Sequence, residues 1–236
     1  GNFFDVPTDC PQRDERLGWT GDAQIITPTS MYHNNMYAFW ASWLESMRYE
    51  QFEDGGIPWV VPNNLGKRHS SGWADAIVII PWELYYITGD ASVLDENYTA
   101  MKKWVNYCTS QATGHIPDIK SFGDWLQPLT KNGAAGDVSR ELIKMAYYAH
   151  SVDLLSKSAE VLGKDEEAKH YSELFGAIKT ALEERFFDTN GRAIHKVETQ
   201  THYLVALHFE LVSQPTANKA LKNSKRLIGE GENQLR

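Results

Sequence analysis

The sequence predicts an all-α protein, because apolar residues recur at helical spacing in successive segments and no segment alternates convincingly as a β-strand does. One clear stripe passes through Leu142, Met145 and Ala149, at steps of three and four residues. A second stripe of the same kind runs through residues 168–186. Such periodicity is typical of amphipathic helices that place one face in a core.

About eight helices are expected, and they come in pairs joined by short turns. Gly89 followed by Asp90, and Gly163 followed by Asp165, are typical of a glycine that ends one helix and an aspartate that caps the next. The pairing predicts successive helical hairpins. The expected helices are residues 25–33, 35–51, 73–87, 91–110, 141–155, 168–186, 201–211 and 216–227.

The composition is that of an acidic globular protein and excludes two classes of partner. The net charge of −8 leaves no basic stripe to neutralise phosphates, so nucleic acid is not an expected partner. No apolar run approaches the roughly 18 residues that a membrane span needs, so no membrane contact is expected. No linker rich in proline or serine divides the chain, and we expect one domain over residues 1–236.

No metal or organic cofactor is expected from the residues present. Six of the histidines are scattered without a metal-ligand spacing, which favours structural roles. His69 and His115 fall in links between helices, where contact with a ligand is an alternative to a structural role. Cys10 and Cys108 are too few for a disulfide scaffold or a zinc site, and they leave the cellular compartment unassigned.

Three links between helices combine a carboxylate with a tryptophan. Indole rings pack against the apolar C–H face of a pyranose, and carboxylates accept hydrogen bonds from its hydroxyl groups. The combination indicates a sugar-binding site, with simple packing beneath the loops as the alternative. The pairs are Trp19 with Asp22, Trp73 with Asp75, and Asp124 with Trp125; Trp59 lies in a similar link, whereas Trp40, Trp43, Trp82 and Trp104 are expected in the core.

The segment 9–22 has the highest density of charged groups, with four carboxylates, two arginines and a tryptophan in fourteen residues. Glycoside hydrolysis requires a carboxylic acid that stays protonated until it donates to the leaving oxygen. Neighbouring carboxylates raise the pKa of such a group, and neighbouring arginines lower it. The segment is therefore a candidate for the acid side of an active site. A solvated, salt-bridged surface loop is the alternative.

Several motifs resemble those of a known family. Residues 2–24, NFFDVPTDCPQRDERLGWTGDAQ, resemble the signature segment of the bacterial α-L-rhamnosidases. The segments GIPWVVP at 56–62, WADA at 73–76 with the following Pro81-Trp82, GDW at 123–125 and QTHY at 200–203 are similar to later segments of that family, in the same order. The resemblance extends through nearly the whole chain.

The resemblance implies a fold, a reaction and a set of site residues. The family folds as an (α/α)6 barrel, a toroid of six helical hairpins, and hydrolyses terminal α-L-rhamnosides with inversion and without a cofactor. Glu15 matches the general acid, and Asp9, Arg13, Trp19 and Asp22 match residues around the rhamnose. The implied ligand is a rhamnose-containing glycoside or oligosaccharide.

Further pocket residues follow from the later motifs. Trp73, Asp75, Asp124 and Trp125 match segments that line the rhamnose pocket in the family. The resemblance implies no metal ligand, and neither it nor the residues predict the oligomeric state, the linkage or the aglycone.

The general base is expected outside this chain. An inverting mechanism needs a second carboxylate roughly 6.5–9.5 Å from the acid, and in the family this group follows more helices than the chain contains. We therefore expect a barrel domain truncated at its C-terminal end, with exposed apolar faces that favour association. Glu230 and Glu232 resemble no base motif.

Two other functions remain as alternatives. The first is a different glycan-active (α/α) barrel hydrolase, because the fold alone does not determine which sugar is bound. The second is a non-catalytic sugar-binding fragment. Assays on aryl glycosides separate the two hydrolases, and calorimetry with L-rhamnose detects binding without turnover.

Overall fold

The computed structural model describes residues 6–7, 16–124, 139–194 and 198–230. Within them the chain forms eight α-helices and one pair of two-residue strands. The helices are α1 (Thr20–His33), α2 (Tyr37–Glu50), α3 (Ala76–Thr88), α4 (Ser92–Ser110), α5 (Arg140–Val161), α6 (Asp165–Phe186), α7 (Gln200–His208) and α8 (Gln214–Glu230), and the strands are β1 (Ala112–Thr113) and β2 (Ile116–Pro117). The expected all-α class is confirmed.

The helices alternate between an inner and an outer row. In the inner row, α1 packs against α3, α3 against α5, and α5 against α7. In the outer row, α4, α6 and α8 pack against the inner helices that precede them, and α2 lies against α3 and α4. Successive hairpins of this kind build an (α/α) toroid, so the N-terminal ends of the inner helices and the loops before them share one end of the structure.

Helix ends follow the predicted turn chemistry with small shifts. Gly89 and Gly163 adopt φ values of 74° and 68°, a left-handed conformation that glycine reaches without strain. Asp90 Oδ1 accepts a hydrogen bond from the backbone N–H of Ser92 at 3.0 Å. Asp165 lies one residue further into its helix than predicted, in the first turn of α6, where its charge is favourable near the helix N-terminus.

The core lies between the two rows of helices. Trp40 and Trp104 are fully buried and Trp43 nearly so, whereas Trp82 is only partly buried against the same core. The Trp40 indole donates a hydrogen bond to Ser30 Oγ at 2.8 Å, which joins α2 to α1. Aromatic rings of this size contribute much of the apolar area that holds such a core together.

Cys108 belongs to this core and carries a free thiol. Burial raises its pKa well above the ordinary value, so the thiol stays protonated and behaves as a small apolar side chain. Cys10 lies outside the described residues.

Several helices, α1 and α7 among them, begin earlier than predicted. α1 begins at Thr20 instead of residue 25, so the glycine at 21 is in the first helical turn and does not break the helix. α7 begins at Gln200, and the backbone N–H of Thr199 donates to Nδ1 of the buried His202 at 3.3 Å. The pair β1–β2 was not predicted, because two-residue strands have no detectable alternation.

Several large apolar side chains of α1 and α7 face solvent. Ile25, Ile26 and Tyr32 on α1 are 67%, 40% and 86% exposed, and Leu204 on α7 is 52% exposed. These helices stand at the two ends of the inner row described above. Among the described residues, no helix is both long and apolar enough to cross a membrane.

A stacked histidine joins α5 to the end of α7. The ring of the half-buried His150 lies 4.0 Å from the ring of Phe209, with 3° between the planes. Burial, with smaller contributions from the charges of His208 and Lys157, lowers the His150 pKa to about 3. The folded protein therefore keeps this ring neutral at a pH where the unfolded chain protonates it.

Replacing His150 should reduce the loss of stability in mild acid. Because the folded pKa is below the unfolded value, the unfolded state binds the extra proton, and stability falls as the pH drops below about 6.5. Between pH 7 and pH 5, urea denaturation should show that the wild type loses about 2 kcal/mol more unfolding free energy than His150→Gln. His170→Gln, which removes an exposed histidine, is the control. An identical pH dependence of wild type and His150→Gln would contradict the buried neutral ring.

Candidate active site

The candidate site lies where the loops before the inner helices meet. The backbone N–H of Thr20 donates to the carbonyl of Trp59 at 2.9 Å, which holds the start of α1 against the loop 51–75. The Gln24 amide donates to the Gly72 carbonyl at 2.7 Å. The Ser71 hydroxyl donates to the Lys144 carbonyl at 3.2 Å, and this bond connects the same loop to α5.

Trp19 and Asp22 occupy the beginning of α1. Trp19 is half-buried and forms an isolated antiparallel bridge with Val60. Asp22 is exposed in the first turn of the helix, where the backbone dipole favours a carboxylate. Both predicted residues therefore lie at the loop end of the inner row. Asp9, Arg13, Glu15 and Trp125, which were predicted with them, lie outside the described residues.

Trp73 belongs to a cluster of three aromatic rings. Its ring centroid lies 4.6 Å from that of Phe122 in an edge-to-face arrangement, and Phe122 lies 5.0 Å from Trp59. Trp73 is half-buried, and its Nε1 has no hydrogen-bond partner among the described residues. Trp59 is 7% exposed and donates to Ser70 Oγ at 2.9 Å, so its main role is packing beneath the loop.

Gly21 makes the close approach of Trp73 possible. A Cβ at Gly21 would lie 2.8 Å from three atoms of the Trp73 indole, a distance that side chains do not tolerate. The glycine therefore allows the ring to pack directly against the first turn of α1. This contact gives a physical reason for a glycine within a helical turn.

Asp75 is fully buried at the start of α3, and its carboxylate faces the interior. Its Oδ1 accepts hydrogen bonds from Trp104 Nε1 at 2.9 Å and from the Ser151 hydroxyl at 2.7 Å. Its Oδ2 accepts from the Gly72 backbone N–H at 2.7 Å. Burial raises the pKa of this carboxyl, and the three hydrogen bonds oppose the shift. These contacts give Asp75 a positioning role, which differs from the predicted contact with a sugar.

Asp124 lies on the other side of the site and joins the loop before α5 to α7. The Thr201 hydroxyl donates to Asp124 Oδ2 at 2.5 Å, and the Asp124 backbone N–H donates to Ser139 Oγ at 2.8 Å. The side chain is half-buried, so a part of it reaches the surface. Thr201 thus orients the carboxylate, and Ser139 fixes the backbone that carries it.

Some site residues were not found by sequence reasoning. Phe122 bridges the two tryptophan rings, and Thr201 orients Asp124 from 77 positions away. The sequence indicated these two residues only indirectly, because Phe122 precedes the motif at 123–125 and Thr201 belongs to the motif at 200–203. Among the described residues, no group of three or more histidine, cysteine or acidic side chains is arranged to hold a metal ion.

Filling the space beside Gly21 should disturb the Trp73 ring. Gly21→Ala forces the indole or the first turn of α1 to move, and we expect a loss of about 1–3 kcal/mol of unfolding free energy with a changed near-ultraviolet dichroism spectrum. Gly176→Ala is the matched control, because Gly176 lies within α6 and the space that a methyl group would take there is open. It should stabilise the protein by about 0.5–1 kcal/mol. Equal effects of both substitutions would contradict the packing described.

Replacing Asp75 with its neutral isostere should destabilise the protein. An asparagine has one acceptor oxygen, so its amide group would face either the Gly72 N–H or the donors of Trp104 and Ser151. We expect Asp75→Asn to lose about 1–3 kcal/mol in chemical denaturation at neutral pH. Asp118→Asn, at an exposed position, should change stability by less than about 0.5 kcal/mol. If Asp75→Asn were more stable than the wild type, the cost of burying the charge would exceed the benefit of its hydrogen bonds, which would contradict the prediction.

The whole chain, residues 1–236, matches the bacterial alpha-L-rhamnosidase six-hairpin glycosidase domain. It is 50% identical to an alpha-L-rhamnosidase of Formosa agariphila over 238 residues, which cover 100% of this chain and 26% of that protein. It is 37% identical to an alpha-L-rhamnosidase of Streptomyces avermitilis, covering 97% of this chain and 21% of that protein. The chain thus spans about a quarter of the length of these curated relatives.

Solved structures of similar proteins share the arrangement of helices. A native alpha-L-rhamnosidase from Aspergillus terreus superposes with a TM-score of 0.92 at 34% identity, over 100% of this chain and 28% of that chain. The Streptomyces avermitilis alpha-L-rhamnosidase complexed with L-rhamnose gives a TM-score of 0.88 at 34% identity, over 98% of this chain and 22% of that chain. The expected toroidal architecture is therefore confirmed.

Proposed function

The chain belongs to the bacterial alpha-L-rhamnosidase six-hairpin glycosidase domain family, and on this premise we propose that the protein hydrolyses terminal α-L-rhamnosides with inversion. The observation that carries the proposal is the convergence of Trp19, Asp22, Trp73 and Asp124 at one end of the inner helices. In a member of this family, such a combination of aromatic rings and carboxylates suits a pyranose.

The ligand of this site is the rhamnose unit of a glycoside or oligosaccharide. The similar Streptomyces avermitilis enzyme was crystallised with L-rhamnose, which supports the same sugar here. Trp73 contributes an apolar surface to the C–H face of the ring. Asp22 and Asp124 supply acceptors for hydroxyl groups. The hydrogen bond that the Thr201 hydroxyl donates to the carboxylate, and the one that the Asp124 backbone N–H donates to Ser139, keep Asp124 in place for this contact.

Glu15 is the proposed general acid, and its chain neighbours support the assignment. Gly18 accepts a hydrogen bond from the Val61 N–H at 2.9 Å, which fixes the chain next to the aromatic cluster. Glu15 precedes Gly18 by three residues in the sequence. Asp9 and Arg13 precede Glu15 in the same segment. A nearby carboxylate would raise the pKa of Glu15, and a nearby guanidinium would lower it.

The chemical step then follows from the requirements of inversion. Glu15 donates its proton to the glycosidic oxygen as the bond to the anomeric carbon breaks, and a water activated by a second carboxylate attacks the opposite face. We assign that second carboxylate to a part of the protein beyond residue 236. The eight helices of the described ranges belong to one barrel domain, and the loops of this domain carry the residues on the acid side of the site. Trp125 is a further residue that lines the pocket.

Replacing the proposed acid, Glu15, should slow cleavage of the glycosidic bond and leave sugar binding nearly unchanged. Glu15→Gln in the full-length protein should lower kcat on an alkyl α-L-rhamnoside by about 100- to 10,000-fold, because a poor leaving group needs protonation. The loss should be smaller on nitrophenyl α-L-rhamnoside, and calorimetry should show L-rhamnose binding close to that of the wild type. Glu166→Gln, which changes an exposed glutamate on the outer helix α6, is the control.

The same assays discriminate between the proposed function and its alternatives. A near-normal rate of Glu15→Gln on the alkyl rhamnoside would exclude this residue as the acid. Wild-type activity restricted to a different glycoside would favour another hydrolase of the same fold. Rhamnose binding without hydrolysis of any rhamnoside by the full-length protein would favour a binding module.

A further inference from the structure

A cationic depression lies beside the candidate active site. Its volume is about 490 Å³, and its lining consists of Trp59, Lys67, Arg68, His69 and Lys120. Three of these five side chains are lysine or arginine, in a chain whose net charge is −8. A local concentration of positive charge in an acidic protein indicates that the depression binds an anion.

Two of the cations have no acidic partner among the described residues. Lys67 forms an ion pair with Asp54 at 2.8 Å, but Arg68 and Lys120 have no ion pair in this part of the chain. Instead both lie near one indole ring. Lys120 Nζ is 4.4 Å and Arg68 Cζ 5.7 Å from the Trp59 centroid. Two like charges held within about 10 Å repel each other, and an anion between them would relieve that repulsion.

His69 does not neutralise this charge. Burial is the main cause that lowers its pKa, so the ring is neutral at neutral pH. Its Nδ1 is buried and has no hydrogen-bond partner within the described ranges, and its ring packs against Tyr107 at 4.8 Å between centroids. The depression therefore combines two cations that have no acidic partner in the part of the chain that the structure describes with an aromatic wall, Trp59, near which both side chains lie.

The depression shares a wall with the aromatic cluster of the site. Trp59 contacts Phe122 at 5.0 Å, and Phe122 contacts Trp73 at 4.6 Å. The Trp59 backbone N–H donates to the Arg68 carbonyl at 3.0 Å, so the segment that carries Arg68 is fixed to this wall. An anion in the depression would therefore be held next to the bound sugar.

The loop that lines the depression also binds the beginning of α1, close in sequence to the proposed acid. The acid of a glycosidase protonates the oxygen that departs with the aglycone, so the aglycone occupies the acid's side of the site. Val61, two residues after Trp59, is hydrogen-bonded to Gly18, which follows the proposed acid Glu15 by three residues. The same stretch of chain thus contacts Gly18 and lines the cationic depression. With Glu15 as the acid, the aglycone would lie on this side of the site.

We propose that the depression is a subsite for an anionic group on the aglycone. The preferred substrates are then acidic oligosaccharides, in which the sugar unit attached to the rhamnose carries a carboxylate or a sulfate ester. This inference rests on the proposed function. The planar guanidinium of Arg68 suits two parallel hydrogen bonds to either anion, and the Lys120 ammonium adds a point charge.

Matched substrates test the subsite directly. We would compare kcat/KM for three α-L-rhamnosyl disaccharides that differ only in the second unit, which is glucose, glucuronate or glucose sulfate. At least one acidic disaccharide should exceed the neutral one by about tenfold, the effect of one charge-assisted contact. The preference should decrease with added salt, because screening weakens an exposed ionic interaction.

Variants of the lining residues test whether the preference for acidic substrates arises from the depression. The double variant Arg68→Gln and Lys120→Gln should lower the ratio of acidic to neutral kcat/KM by about tenfold. Because both rates come from one preparation, the ratio does not depend on how much protein folds. Lys120→Arg should keep the preference. Lys169→Gln, which removes an exposed cation on α6, is the matched control and should keep the wild-type ratio.

Each outcome decides between the subsite and the underlying function. Preference for glucuronate alone or for the sulfate alone supports the subsite and identifies the anion. Hydrolysis of all three disaccharides with equal kcat/KM overturns the subsite and leaves the rhamnosidase function intact. If no rhamnoside is hydrolysed, the proposed function fails, and calorimetry with methyl glucuronide and methyl glucoside sulfate tests the depression alone. Binding of either that the double variant loses would support the subsite, and no binding of both would overturn it.

Discussion

The carboxylate of Asp75 joins three parts of the protein that are far apart in sequence. It accepts hydrogen bonds from its own loop through Gly72, from α4 through Trp104 and from α5 through Ser151. Burying a carboxylate is unfavourable unless its oxygens are satisfied, and here three donors meet it. Trp73, which lies between Gly72 and Asp75 in the chain, is held in the site by the same contacts. The position of the aromatic wall therefore depends on one buried acidic group.

The helices could be predicted because their periodicity is local. Residues 168–186 carry an apolar stripe that belongs to α6, and the sequence alone contains that information. The start of α1 could not be predicted, since the reason for a glycine in its first turn is the Trp73 ring, which packs where a side chain would be. The residue that explains this helix boundary, Trp73, lies 52 positions away in the sequence.

The chemistry of the site was easier to predict than its geometry. A tryptophan or a carboxylate in a glycine-rich link is visible in the sequence, and Trp19, Trp73 and Asp124 do lie at the loop end of the inner helices. Whether a given carboxylate faces solvent or the interior depends on partners from other helices, as Asp75 shows. Arg68 and Lys120, which have no ion pair within the described ranges, were missed for the same reason, because their neighbours are determined by the tertiary fold.

The hydrogen bonds between the start of α1 and the segment 58–61 have a mechanical consequence. The carbonyl of Trp59 accepts from both the backbone N–H and the hydroxyl of Thr20, and Val61 donates to Gly18. Chain segments tied in this way move together, so the beginning of α1 and the wall of the cationic depression form one mechanical unit. A ligand seated in the depression would therefore restrain the first turn of α1 as well.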